Sequence, residues 1–259
     1  MESSAAGVLA FKCLVLLLAM MAVSTSSLII EEERLVEYHK RNYTWPLLSY
    51  VPTTPGWKAL MDARFEQVAA IEDLGKRYEG YIQVMRSAYL VPNFTEYGFG
   101  LAKCPDPLLQ ALQKGIHDGL PTARHENRVE VIDAPEQPLF IDRPDLTQRV
   151  LNELHSFAEA WSGIELTPYT AYGFRLYQNQ SQLMMHVDKM QTHIISYILH
   201  IDSSEDAEPW PIFIEDLHGR THEVVLTPGD ILFYESSKCF HGRPRRFNGS
   251  WYTSVFVHY

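Results

Sequence analysis

Tyr172-Gly-Phe-Arg-Leu-Tyr-Gln-Asn-Gln-Ser-Gln-Leu-Met-Met-His-Val-Asp188 is the stretch from which the fold can be read. It reads as a strand pair or a bent strand, and side chains at i and i+2 of a strand point the same way. His186 and Asp188 therefore project to one side while Val187 packs behind them. Two imidazoles and one carboxylate are the ligand set that holds non-haem Fe(II) on one face and leaves the other open. The third candidate is His241, fifty-three residues beyond Asp188 in Lys238-Cys-Phe-His-Gly-Arg-Pro244. A ligand from so distant a strand suits a sheet folded over on itself.

The sequence on either side supports that geometry. Residues 193–201 are a β-branched and aromatic run that reads as a buried strand. Further strands are predicted at 210–214, 223–226, 231–234 and 250–259. Thr227-Pro-Gly-Asp230 forms a turn, and His241 is placed in the loop after residue 234. Short strands at regular spacing with turn signals between them indicate a barrel or jelly roll.

Residues 144–259 resemble the catalytic domain of the Fe(II)- and 2-oxoglutarate-dependent dioxygenases, in particular the prolyl 4-hydroxylase-like branch. The matching pieces are a helix at 145–163, Tyr177 nine residues before His186, and the His186-x-Asp188 pair. After them come the strand ending at Asp202, the Pro228-Gly-Asp-Ile-Leu-Phe-Tyr234 segment, His241 and the final strand. The resemblance implies an α+β fold: a double-stranded β-helix (jelly-roll) barrel with flanking N-terminal helices. It implies that His186, Asp188 and His241 hold Fe(II), with 2-oxoglutarate and O₂ as cosubstrates and ascorbate as a candidate accessory reductant. The reaction implied is hydroxylation of a C–H bond coupled to conversion of 2-oxoglutarate to succinate and CO₂. Tyr177 is the expected donor to the 2-oxoglutarate carboxylate. A peptidyl target is implied, most simply a proline.

The sequence departs from the branch at one position. Its members place a Lys or Arg about ten residues after the distal histidine, facing the far carboxylate of 2-oxoglutarate; here that position is Trp251. A buried carboxylate needs a cation or a set of donors. Arg243, Arg245, Arg246, Arg175 and Lys189 are the candidates, with Arg243 preferred because it is nearest a ligand. The departure leaves two other readings open: a catalytically silent jelly-roll binding module of the secretory pathway, and a cupin-type metalloenzyme that does not use 2-oxoglutarate. The loops at 91–100, 203–211 and 243–249 are the expected specificity elements. Phe94, Tyr97 and Phe99 suit stacking on a proline, and Glu205, Asp206 and Glu208 suit a basic peptide.

The remaining histidines are weighed as non-ligands. His193 and His200, an odd number of residues apart, should face opposite ways. His200 is placed near the cosubstrate pocket or in the core, and His218 and His222 in an exposed turn. His258 lies at the penultimate position.

A hydrophobic fraction of 46% indicates a packed globule, and a net charge of −10 argues against a nucleic-acid partner. Residues 13–23 form an apolar run preceded by Lys12 and followed by Ser24-Thr-Ser-Ser27, the shape of a signal peptide. Residues 1–27 are thus a signal peptide or a signal anchor, and membrane contact is expected only if the segment is uncleaved. The compartment implied is the secretory pathway: the endoplasmic reticulum lumen, the exterior, or a membrane-anchored form with a lumenal catalytic domain. Four sequons agree with this, at Asn42, Asn93, Asn179 and Asn248. Only Cys104 and Cys239 follow the apolar run, and their pairing stays open. Residues 28–125 form a mainly helical region packed on the barrel, and 126–259 the barrel domain. Within the helical region, 56–84 and 105–120 carry helical periodicity, with Pro107 in a first turn. Asp145 is the expected cap of the helix before the barrel.

Overall fold

The computed structural model describes residues 57–127, 129 and 131–259. The segment read as a signal, Asn42 and the first part of the span expected to be helical lie outside the described residues. Two helices, α1 (Trp57–Ala69) and α2 (Leu74–Leu90), precede the first strand, β1 (Phe99–Lys103). Next come α3 (Asp106–Gly119), β2 (Arg124–His125), β3 (Ile132–Asp133), β4 (Leu139–Phe140) and α4 (Pro144–Ser162). Then follow β5 (Thr170–Gln178), β6 (Gln182–His186), β7 (Ser196–Ser203), β8 (Ile212–Glu215) and β9 (Thr221–Val224). The chain closes with β10 (Asp230–Tyr234), β11 (His241–Arg243) and β12 (Trp251–His258).

The strands form two antiparallel sheets, a seven-stranded one in the order β1-β10-β7-β12-β5-β4-β2 and a five-stranded one in the order β3-β6-β11-β8-β9. Interleaving distant strands between two facing sheets is the jelly-roll arrangement. Strand alternation then decides what faces where. Phe174, Leu176, Tyr197, Leu199, Ile231, Phe233, Val255 and Val257 pack with α3 and α4 in one core cluster. Their neighbours Tyr177, Ile198, Leu232, Tyr234 and Tyr252 belong to clusters toward the second sheet.

The helices bury stripes at helical spacing: Leu108, Leu112 and Ile116 on α3, and Leu146, Val150, Leu154 and Ala158 on α4. α4 ends at Gly163, whose φ of +74° is the left-handed cap that glycine adopts without strain. Its start differs from expectation. Asp145 makes no cap, because its carboxylate takes Arg143 Nε at 2.8 Å and Nη2 at 2.7 Å.

The periodic stretch at 56–84 is two helices, since Asp73 caps α2 by accepting from Lys76 N–H at 2.8 Å. Leu74 and Tyr78, read as apolar-face positions, are 75% and 69% exposed. β1 and β2 lie within the span read as mainly helical, and β1 pairs with β10 over Phe99↔Tyr234 to Lys103↔Asp230. α1 and α2 cover the five-stranded sheet instead, through Phe65, Val68, Ile71 and Val84 against Met185, Val187 and Phe240. Arg64, buried, lies 4.7 Å over the Phe240 ring and 3.5 Å from Glu215. Cys104 and Cys239 are free and buried, so no disulfide joins them. No helix among the described residues is long and apolar enough to cross a membrane.

Candidate metal centre

β6 and β11 lie side by side with His186 opposite His241. The close approach depends on Gly242: a Cβ there would stand 2.9 Å from the carbonyl oxygens of Leu183 and Met184. His241 is thus the first residue of a strand, not part of a loop as the sequence suggested. Asp188 follows β6, and its N–H donates to Ser236 O at 2.9 Å. One ligand atom from each of His186, Asp188 and His241 lies within 4.8 Å of the others, a group able to hold a metal ion. His186 Nε2 is 3.6 Å and His241 Nε2 3.9 Å from Asp188 Oδ1.

The protonation of the imidazoles follows from their other nitrogens. His186 Nδ1 lies 2.7 Å from Met184 O and His241 Nδ1 2.9 Å from Cys239 O. A carbonyl only accepts, so each Nδ1 carries the proton and each Nε2 offers a lone pair. Burial, and for His186 also the neighbouring His241, pushes both pKa values down to about 4, so both rings are neutral at pH 7. Burial raises the Asp188 carboxyl. A desolvated carboxylate facing two neutral donors is a set that a cation stabilises, and the residues present fit a divalent metal.

Arg243 is two residues beyond His241 on β11, a separation of roughly 6–7 Å. It is 2% exposed. Its guanidinium donates to Trp210 O and, at 3.1 Å, to Tyr252 Oη, and lies over both rings at 4.6 and 4.7 Å. No carboxylate pairs with it among the described residues. Tyr252 is stacked on buried His200 at 4.0 Å, and Tyr177 meets Trp210 edge-on at 5.0 Å. Burial, together with Arg243, lowers the His200 pKa to about 3. Tyr234 joins the two ends: its ring is 4.6 Å from His241, and the charges of Asp188 and Arg243 both act on its hydroxyl.

The other basic candidates are engaged elsewhere. Arg175 is paired with Glu126 at 2.6 and 2.7 Å, Arg245 with Glu223 at 2.6 and 2.8 Å, and Arg246 with Asp133 at 2.6 Å. Lys189 is exposed. Trp251 packs against the helix-covered cluster, and Tyr252 is the β12 residue beside Arg243.

A groove of about 710 Å³ reaches Asp188, walled by Tyr78, Ile82 and Arg86 of α2 and by Lys189 and Met190. A second, of about 680 Å³ beside Glu126, Phe140 and Tyr172, is lined by none of His186, Asp188 and His241. The aromatics of residues 91–100 are used in packing: Phe94 against the helix-covered cluster, Tyr97 on His218 and Phe99 on His222. That loop is tied down by buried Glu235, which accepts from Phe94 N–H, Thr95 N–H and the Thr95 hydroxyl. His222, expected in an exposed turn, is on β9, with its side chain 37% exposed and bonded to buried Asp216 at 2.8 Å. His258 and Tyr234 were not singled out from the sequence as site residues, although strand alternation places both on the inner side.

No family model matches the sequence, and no curated protein matches it. Similarity appears among solved structures. A prolyl hydroxylase from Trichoplax adhaerens, in complex with a hypoxia inducible factor oxygen degradation domain peptide fragment, aligns with 73% of this chain and 94% of its own, at 9% identity and a TM-score of 0.50. A prolyl-4-hydroxylase from Pseudomonas putida aligns with 66% of this chain and 98% of its own, at 14% identity and a TM-score of 0.45. A 2OG-Fe(II) oxygenase family oxidoreductase from Burkholderia pseudomallei aligns with 68% of this chain and 87% of its own, at 12% identity and a TM-score of 0.46. Interleaved antiparallel sheets, with β6 and β11 side by side, and the likeness to the Trichoplax structure lead to one conclusion about architecture: the chain has a double-stranded β-helix fold.

Proposed function

We propose that this protein is an Fe(II)- and 2-oxoglutarate-dependent oxygenase that hydroxylates a C–H bond. His186, Asp188 and His241 would hold the iron, and Arg243 the far carboxylate of 2-oxoglutarate, with Tyr177 donating to a carboxylate oxygen. The observation that carries this reading is buried Arg243, without a carboxylate partner, two strand residues from the ligand cluster. An unpaired buried cation is costly, and an anion placed beside it removes that cost. A silent binding module would have no use for such a cation, and a cupin-type site would need only the metal ligands. Iron with 2-oxoglutarate and O₂ supplies the oxidation when bound. The chain's own contribution is to present two Nε2 lone pairs and one carboxylate oxygen on one side, and to shield them with Tyr234, Phe240 and Val187.

The substrate proposed is a peptide, with proline first. It rests on the groove beside Asp188 and on the peptide complex of the Trichoplax prolyl hydroxylase. The proposed compartment is the secretory pathway, motivated by the apolar run at 13–23 and the exposed Asn179 and Asn248 sequons. The experiment is succinate release by purified protein with Fe(II), 2-oxoglutarate and ascorbate over a proline-rich peptide library, read alongside mass spectrometry. Succinate with one oxygen gained on proline supports the reading. Oxygen gained on lysine, asparagine or a free metabolite alone rejects the prolyl assignment. Succinate no faster than from Asp188→Ala rejects the oxygenase.

A further inference from the structure

Asp188 has a second oxygen, and its surroundings are built as carefully as those of the first. Oδ1 faces the two Nε2 atoms, whereas Oδ2 is buried with no hydrogen-bond partner. A carboxylate attached at one oxygen is free to rotate unless something meets the other. His258 Nδ1, on the last strand described, lies 3.9 Å from it.

The proton on that ring can be assigned from its neighbours. Ser236 Oγ donates to His193 O at 2.8 Å, which commits its one proton. Ser196 Oγ is 2.7 Å from Ser236 Oγ, so Ser196 must be the donor in that bond. Ser196 Oγ then has only a lone pair for His258 Nδ1 at 2.8 Å, and the histidine must donate. The chain of donors runs from His258 through Ser196 and Ser236 to the His193 carbonyl, and each bond polarises the next. The His193 ring lies 3.8 Å from that of His258 and restricts its rotation. Ser236 also accepts Asp188 N–H through its backbone carbonyl, tying the unit to the ligand at both its main chain and its side chain.

We propose that His258 is a positioning residue for Asp188. Its ring edge, held by the Nδ1–H bond to Ser196 and by Ser236 beyond it, stands 3.9 Å from Oδ2 and keeps Oδ1 turned toward the metal. This rests on reading His186, Asp188 and His241 as the ligands, and its test separates the two ideas.

The experiment is Mn(II) titration by calorimetry on wild-type protein, His258→Leu, His258→Asn and Ser196→Ala, with a thermal melt of each. The Asn amide nitrogen occupies the place of Nδ1 and keeps a donor there, whereas Leu removes it. His258→Leu should weaken Mn(II) binding by roughly 10–100-fold, the range for groups that orient a metal ligand. His258→Asn should stay close to wild type. Ser196→Ala, which leaves the ring in place, should lie between the two and covers the case in which His258→Leu fails to fold. Wild type that binds Mn(II) while folded His258→Leu or Ser196→Ala binds it equally well overturns this proposal alone. So does an Asn variant as weak as Leu. Wild type that binds no Mn(II) overturns the metal-site reading, and the proposal with it.

Discussion

The seven-stranded sheet is backed by α3 and α4, whose Leu108, Leu112, Val150 and Leu154 interlock with Phe174, Tyr197, Phe233 and Val257 in a cluster of twenty-one buried side chains. The five-stranded sheet carries His186, His241 and Arg243 and is backed by α1 and α2 through a cluster that numbers seven buried side chains among the described residues. Between the sheets lie groups that a stable core would avoid: neutral histidines, a desolvated Asp188 and a buried arginine with no carboxylate partner among the described residues. The difference separates two tasks. The larger sheet supplies the burial that makes the fold persist, while the smaller holds strained electrostatics in a fixed geometry, as functional sites do.

Four experiments would break or sharpen that contrast. The largest effect should come from Asp188→Ala, which removes the carboxylate of the proposed ligand group. Succinate formation and Mn(II) affinity should each fall by more than about 100-fold, above the range for supporting residues, with the melting transition retained. Surviving turnover would mean that the chemistry lies elsewhere.

Leu154→Ala tests the other side of the contrast. It empties a fully buried position between α4 and the large sheet, and should cost about 2–5 kcal/mol of stability in denaturant titrations. Mn(II) affinity of the folded fraction should be unchanged; a parallel loss would show that the two regions are not separable.

Arg243→Met should weaken 2-oxoglutarate binding to the Mn(II)-loaded protein by about 1.5–3 kcal/mol, the value of a charge-assisted hydrogen bond, while Mn(II) binding itself persists. Arg243→Lys should recover part of the loss, since the point charge remains but the planar fork does not. Unchanged 2-oxoglutarate affinity in both would remove Arg243 from the site.

The smallest effect belongs to the groove wall. Arg86→Ala and Lys189→Ala should raise KM for a charged peptide by less than about 1 kcal/mol, as expected for solvent-exposed charges, and leave kcat and 2-oxoglutarate affinity in place. A drop in kcat without a change in KM would place these side chains nearer the chemistry.

Much of the architecture was legible because a strand has a period of two. The alternation through residues 172–188 placed His186 and Asp188 together, and the apolar run at 193–201 marked a central strand. Other elements carried no such signal. β11 is three residues long, too short to show alternation, so His241 read as a loop residue. β1 is an edge strand with a mostly half-exposed pattern, and it disappeared among helical neighbours. The break between α1 and α2 depended on a single cap, Asp73.

By itself, the sequence offered His186, Asp188 and His241 as candidate ligands and showed the strand-rich character of residues 170–259 and the apolar stripes of α3 and α4. These are properties of residue type and local period, which a linear chain already contains. Only the tertiary structure decided that His241 lies opposite His186, that Arg243 is buried with no carboxylate partner among the described residues while Arg175, Arg245 and Arg246 are paired, and that His258 stands behind Asp188. Each depends on which strand lies beside which, and register between strands distant in sequence is set by packing of the whole barrel, not by any segment of it.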